Sequence, residues 1–349
     1  MTLLKALLVA LLSFAMVSEA RAQGKKGTIV TEQLSSAILK ENLVGLKTVR
    51  QVKIYLPSGY TASGKTYPVV YYCHSIYGKA TWVLDEGTPI EQSLNRAFAK
   101  GEKEFILVAA DFSSANIGSL YENSPVSGRW LDFITQELVP FIDSKYRTIR
   151  HRDSRAVTGD FMGGRGALKL GMTHPELFGV VYALHPVAVG VGTRPWSELG
   201  VNWERILAAK TFADLGGDKP CETFLAICQA FLPNPSRPPF YCDYFVKREN
   251  GKIVMDPAKV LQIQHNFHLE ETLNESYKNL RSLRALAFDW ARNDGNYDHI
   301  HAARAFTRSL EDLGIEHEAE EYRGTPWQND RFNTRVLPFL AQHLLFEKE

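Results

Sequence analysis

At 349 residues, with 45% hydrophobic and 11% aromatic residues, the chain can bury one large core, and layered α/β sheets often reach this length as a single domain. Forty basic residues against 39 acidic ones leave a net charge of +1, which supplies no field for nucleic acid or an anionic membrane surface.

The first 22 residues read as a secretory signal. Lys5 gives the positive start, Ala6 to Val17 the apolar run, and Ala20-Arg21-Ala22 a small-residue cleavage site before Gln23. About 12 apolar residues are too few for a bilayer that needs about 20, so the run predicts a secreted or periplasmic chain rather than an anchored one. The remaining residues, 23–349, are expected to form one domain.

Alternating segments up to Leu56 predict antiparallel strands at the start of the sheet. Tyr67 to Cys73 and Phe105 to Ala110 are continuous apolar runs, the pattern of parallel strands buried on both faces, and Pro89 to Lys100 between them has helical spacing. Trp130 to Tyr146 forms a further amphipathic pattern, with Leu131, Ile134, Leu138 and Ile142 on one face. Next comes a strand, Ala156 to Thr158, that runs into Gly159-Asp160-Phe161-Met162-Gly163-Gly164, then a helix, Arg165 to Thr173, and a strand, Val180 to Leu184. From about residue 186 to 282 the alternation lapses into short pieces broken by Pro233, Pro235, Pro238 and Pro239, which reads as a cap inserted over the sheet edge. The sheet resumes with Arg284 to Asp289, helix His301 to Leu313, strand His317 to Tyr322 and a last helix, Asn333 to Leu345.

A strand, a glycine-rich turn and a helix at residues 156–173 make a nucleophile elbow, where the apex residue is held in strained geometry and glycines give the backbone room. With Val52 to Pro57, Tyr67 to Gly78, Tyr121 to Trp130 and Glu137 to Ile149, this turn resembles the esterase branch of the α/β-hydrolases, which includes feruloyl esterases, enterochelin esterases and mycolyltransferase antigens. The resemblance runs from about Val49 to the C-terminus. It implies an α/β-hydrolase fold, a mostly parallel doubly wound sheet with a cap, and a serine nucleophile, a histidine base, an acid and two backbone oxyanion donors.

Two of those groups are replaced. Phe161 occupies the nucleophile position and has no lone pair, and Pro326 stands in the segment Glu321 to Trp327 where the family places its histidine. Asp294 corresponds to the acid. The oxyanion donors would be the backbone of Met162 and of Ser75 or Ile76, in a loop that reads His74-Ser75 where the family has His-Gly. His74, Tyr77, Asp160 and His185 are the remaining pocket candidates. Asp160 lies one position before the apex and should point away from the pocket. His317 and His343 fall where a structural role is expected.

Asp298-His299-Ile300-His301 has H-x-H spacing near Asp294, but with His299 ahead of a helix and His301 opening it the motif predicts capping, and neither a metal nor a cofactor is expected. Cys73 is expected to be a buried free thiol, and one disulfide is expected among Cys221, Cys228 and Cys242, its pairing open. The leading expectation is a degenerate family member that binds a small ester or acyl ligand in the old pocket. The alternative is an active ester hydrolase or acyl transferase with a relocated nucleophile or base, such as His74, His185 or a cap residue.

Overall fold

The computed structural model describes residues 26–115, 117–326 and 330–347, so the signal segment and Trp327 lie outside the described residues. Eight strands make the main sheet: β1 Thr28–Ser35, β2 Val49–Leu56, β3 Val69–Cys73, β4 Ile106–Ala110, β5 Arg155–Asp160, β6 Val180–Leu184, β7 Ala285–Ala291 and β8 Glu318–Tyr322. Their spatial order is β1-β2-β4-β3-β5-β6-β7-β8. β2 runs antiparallel to β1 and β4, and every pair from β4 through β8 is parallel. This is the α/β-hydrolase fold expected from the resemblance.

The fully buried runs explain the middle of the sheet. All five residues of β3, β4 and β6 are buried, as a strand covered on both faces requires. Val70 and Tyr72 of β3 pack on one face with Leu94 of helix α1 (Pro89–Ala99) and Leu340 of the C-terminal helix. Val69, Tyr71 and Cys73 point to the other face, which is covered by α2 (Val139–Lys145), α3 (Met162–Thr173) and the cap. Thr88 caps α1 by accepting from the Glu91 N–H at 3.4 Å, with Pro89 in the first turn, an arrangement worth about 1 kcal/mol.

The cap contributes α4 (Lys219–Phe231), α5 (Pro257–Phe267) and α6 (Leu273–Arg281), with an antiparallel hairpin, Val246–Glu249 against Lys252–Met255, between the first two. Trp196 and Trp203 each meet Phe224 and Phe245 edge to face inside it, with centroids 4.7–6.3 Å apart. Its buried residues join the core over one sheet face rather than forming a separate one. No disulfide forms in it: Cys221, Cys228 and Cys242 are all free and buried, as is Cys73. The expected bridge is therefore corrected. Cys221 turns instead toward the Asn202 carbonyl at 3.5 Å, and burial pushes the Cys228 and Cys242 thiols up, keeping them protonated.

Two helices, α7 (Tyr297–Asp312) and α8 (Leu337–His343), complete the domain. α2 and α8 are each preceded by a π turn, Phe133–Leu138 and Phe332–Val336, and each has a proline in its first turn, Pro140 and Pro338. A proline lacks the N–H and crowds the carbonyl four residues back, so the widened turn absorbs the misfit. Among the described residues, no helix is long and apolar enough to cross a membrane.

Candidate functional site

The sheet register brings the chemistry to one edge. Cys73 aligns with Gly159, Asp160 with Leu184, and Leu184 with Asp289, so β3, β5, β6 and β7 end together. The residues that follow, His74-Ser75, Phe161, His185 and Asp294, consequently gather at the carboxyl ends of the strands, where ligands of open α/β sheets bind.

Phe161 stands at the apex with φ 52° and ψ −112°, a conformation that L-residues rarely adopt. Its N–H donates to the Leu184 carbonyl at 3.0 Å, and its carbonyl accepts from Arg165 N at 2.9 Å. The turn keeps its shape because α3 starts tight against the end of β3. A Cβ on Gly163 would collide with the Cys73 carbonyl, and one on Gly159 would strike the same oxygen. The half-buried Phe161 ring lines a cavity of about 480 Å³ and lies 4.9 Å from the His185 ring.

The walls of that cavity are mainly apolar and come from the elbow, the His74–Gly78 loop, the cap and the start of α7; Ile76, Trp196, Phe224 and Ile227 are among them. Ser75, Tyr77 and Met162 also line it, and Met162 opens α3, where N–H groups have no intrahelical acceptor. Among the expected oxyanion donors, the Ser75 N–H is diverted: it donates to the Asp160 carboxylate, which also accepts from Tyr72 Oη at 3.1 Å. Burial pushes the Asp160 carboxyl up to about 6. Asp160 thus lies beneath the cavity wall and holds the loop.

His74 is fully engaged by the backbone. Its Nδ1 faces the Ser75 carbonyl at 2.8 Å and must carry the proton, while Nε2 accepts from Phe112 N at 2.9 Å. Burial lowers its pKa, consistent with a neutral ring. It does not line the cavity.

Asp294 is brought to His185, a contact with no local sequence signal because 109 residues separate them. His185 Nε2 lies 2.8 Å from Asp294 Oδ2, and its Nδ1 accepts from Ala291 N at 2.9 Å, which puts the ring proton on Nε2. The strand β7 extends past its expected end at Asp289 to Ala291, so this N–H is presented at the sheet edge. The buried Asp289 carboxylate receives the His185 N–H at 3.1 Å, Tyr182 Oη at 2.9 Å and Arg331 Nε at 3.0 Å. It fixes the backbone of His185, a role the sequence reading missed.

Helix α7 starts at Tyr297, four residues before its expected start, because Asn296 caps it by accepting from Asp298 N. That early start places His299 in the first turn and turns its Nδ1 to Asp294 Oδ2 at 2.7 Å. Its Nε2 faces Asn296 Nδ2 at 2.9 Å; because the Asn296 Oδ1 accepts from Arg194 at 2.7 Å, the amide nitrogen points at the ring and Nε2 accepts. Burial works against ionisation of Asp294, yet hydrogen bonds from His185, His299 and the Asn296 N–H outweigh it and hold the carboxyl well below its usual range.

His185, Asp294 and His299 offer atoms of metal-ligand type within 4.8 Å of one another. The tautomers argue against a metal there. Both nitrogens that face Asp294 carry protons, and ligation through His185 Nε2 would move a proton onto Nδ1, against the Ala291 N–H. Pro326 is half-buried beside a turn at residues 323–324 and is not part of the cavity wall.

Residues 44–215 match the model of the family described as "Putative esterase". Esterase Rv1288 of Mycobacterium tuberculosis is 37% identical over 119 residues, 34% of this chain and 25% of that protein. An endo-1,4-beta-xylanase/feruloyl esterase of Xylanibacter ruminicola is 29% identical over 150 residues, 38% of this chain and 19% of that protein. The chain therefore spans a quarter or less of the length of these curated relatives. Among solved structures, a ferulic acid esterase superposes with a TM-score of 0.61 at 18% identity, covering 91% of this chain and 98% of the other. An S-formylglutathione hydrolase from Agrobacterium tumefaciens gives 0.58 at 16% identity, covering 92% and 97%. At such identities the superpositions establish the fold.

Proposed function

Because the chain belongs to the esterase family of α/β-hydrolases and carries Phe161 at the nucleophile position, we propose that it is an exported, non-catalytic member that holds a small ester or acyl ligand in the former ester pocket. One observation carries the reading: an aromatic ring, with no lone pair to attack a carbonyl, occupies the elbow apex and lines an open apolar cavity. The remaining polar groups agree with it. Asp294 is taken by two histidines whose ring nitrogens are all engaged, so no base stands ready to take a proton from a hydroxyl. Losing the nucleophile alone removes about as much catalysis as losing the whole triad, leaving only what binding and backbone donors supply.

A cavity of about 480 Å³ is within the size range of small-molecule sites, and its lining favours an uncharged ligand, since Arg194 is committed to Asp298 at 2.9 Å. Export rests on the signal read at residues 1–22, and the near-neutral charge argues for small-molecule rather than nucleic-acid partners.

The second reading, an active hydrolase with a relocated base, is favoured by His299, which lines the cavity and bonds the acid as a triad histidine would. Against it, His299 Nε2 accepts from Asn296, and among the described residues no hydroxyl or thiol is hydrogen-bonded to that nitrogen. The test is a panel of short-chain, feruloyl and sugar esters incubated with wild-type protein and with Asp294→Ala, alongside thermal-shift measurements on the same compounds. Stabilisation without turnover is expected; turnover that Asp294→Ala abolishes would overturn the proposal in favour of the second reading.

A further inference from the structure

Within the cavity one polar group stands apart from the site inherited from the family. His268 follows α5 and is 5% exposed, in a stretch strapped to the chain leaving β6 by two backbone bonds, Leu269 N to the Ala188 carbonyl at 3.1 Å and Glu270 N to the Val189 carbonyl at 2.9 Å. Its ring is walled by aromatic groups. Trp196 meets it at a right angle with centroids 5.9 Å apart, and Phe267 lies 5.2 Å away.

The tautomer is set locally. Nδ1 lies 3.2 Å from the Gln264 carbonyl, which can only accept, so Nδ1 carries the proton and Nε2 keeps its lone pair. Burial lowers the His268 pKa to about 4, with the Gln264 bond opposing and the nearby Arg165 charge adding to the effect, so the ring is neutral at ordinary pH. No described residue donates to Nε2. The ring lines the cavity, and Nε2 is not among the unpartnered polar atoms sealed from it. Nε2 therefore presents its lone pair to the cavity, where a donor group on a ligand can take it.

The geometry points to His268 as the polar anchor of the cavity, accepting a hydrogen bond from an O–H or N–H group on an otherwise apolar, planar ligand. This inference rests on the ligand-binding reading above and adds to it the chemical feature by which the pocket selects. Charged donors are disfavoured because the Arg165 guanidinium, whose charge is felt by His268, is held in place by the Phe267 and Leu120 carbonyls and Glu122, and a second positive charge would lie near it. The apolar body of the ligand would lie against Trp196, Phe224 and Phe161.

Indole and benzofuran test this directly, since they are nearly identical in shape and only indole carries an N–H donor. Binding is followed by calorimetry. Wild-type protein should prefer indole by about three- to tenfold, the range of one net hydrogen bond. His268→Leu should bind both compounds with that preference gone, while His268→Gln, which keeps an acceptor, should retain part of it. Equal affinities in the wild type, or an unchanged preference in His268→Leu, would overturn the assignment of His268 and leave the pocket reading standing. Failure of the wild type to bind either compound would overturn both. A structural role alone would lower affinity for the two probes together and leave their ratio unchanged.

Discussion

Replacing Phe161 by alanine measures whether the apex ring is core or ligand wall. A fully buried phenylalanine costs about 3–5 kcal/mol when truncated. Phe161 is only half-buried, lining the cavity with its ring 4.9 Å from that of His185, so less than the cost of a core ring, about 1–2 kcal/mol, is expected. Alanine has no relief from φ 52°, because it carries a Cβ too. Glycine does. Phe161→Gly should recover about 1–3 kcal/mol of backbone strain, less about 0.5–1 kcal/mol for the freedom it adds to the unfolded chain. The glycine variant should therefore be as stable as the alanine variant or more so, although it has lost the same ring. Urea denaturation of the three proteins reads both differences. A loss above about 3 kcal/mol for Phe161→Ala would show that the ring serves the core. A glycine variant clearly less stable than the alanine variant would refute the claim that the elbow is strained.

Phe161→Ser should give no hydrolysis of 4-nitrophenyl acetate above buffer, because His185 directs one ring nitrogen to Asp294 and the other to Ala291; turnover by that single variant would show that a base already serves the apex. Stability should respond to pH in opposite senses at two carboxylates. Asp294 is depressed in the folded protein, so its contribution is present above the unfolded value of about 4 and is lost as pH falls further, and Asp294→Asn should flatten the acid limb of a urea-midpoint titration. Asp160 is raised to about 6, so the folded state holds the extra proton between the unfolded value of about 4 and that point; stability falls as pH rises through this window, and Asp160→Asn should remove the slope. Alkylation of the unreduced, denatured protein should label all four cysteines, whereas a linked pair found by mass mapping would restore the bridge that the sequence suggests.

The sheet was legible because its central strands are unbroken apolar runs, and burial on both faces leaves no other pattern for β3, β4 or β6. Phe161 and Asp294 were legible because the turn and the loop after β7 have fixed places in the fold. The partners of Asp294 were not. His185 reaches it across 109 residues, a distance over which local periodicity carries no information, and His299 came within reach only through an early helix start set by the Asn296 cap. His268 lies in the cap, where short helices between prolines obey no single period, and its role depends on which ring nitrogen is protonated. That choice is made by a carbonyl one helical turn away. The absent disulfide has a similar origin: three cysteines close in sequence suggest an oxidised cluster, but all three are buried as free thiols, with Cys221 turned to the Asn202 carbonyl.

A glycine-rich elbow is easily taken as evidence that a site is still in use, but its geometry here has a cause that needs no nucleophile. Helix α3 begins against the last residue of β3, and a methyl group on Gly163 would overlap the Cys73 carbonyl, with the Cys73 carbonyl carbon and the His74 carbonyl oxygen also too close. All of these are backbone atoms, so no side chain can rotate away, and relief requires α3 to move off the central strands. Gly163→Ala should therefore destabilise the protein by more than about 2 kcal/mol, beyond the usual range of a surface substitution, even though alanine is the better helix former. Thermal melts of Gly163→Ala and of Gly64→Ala, a glycine with open space around its Cβ position and no positive φ, separate close approach from the general cost of substituting a glycine. If Gly163→Ala melted with the wild type, α3 would have room to shift, the elbow would not be imposed by packing, and its retention around Phe161 would itself become an argument for function.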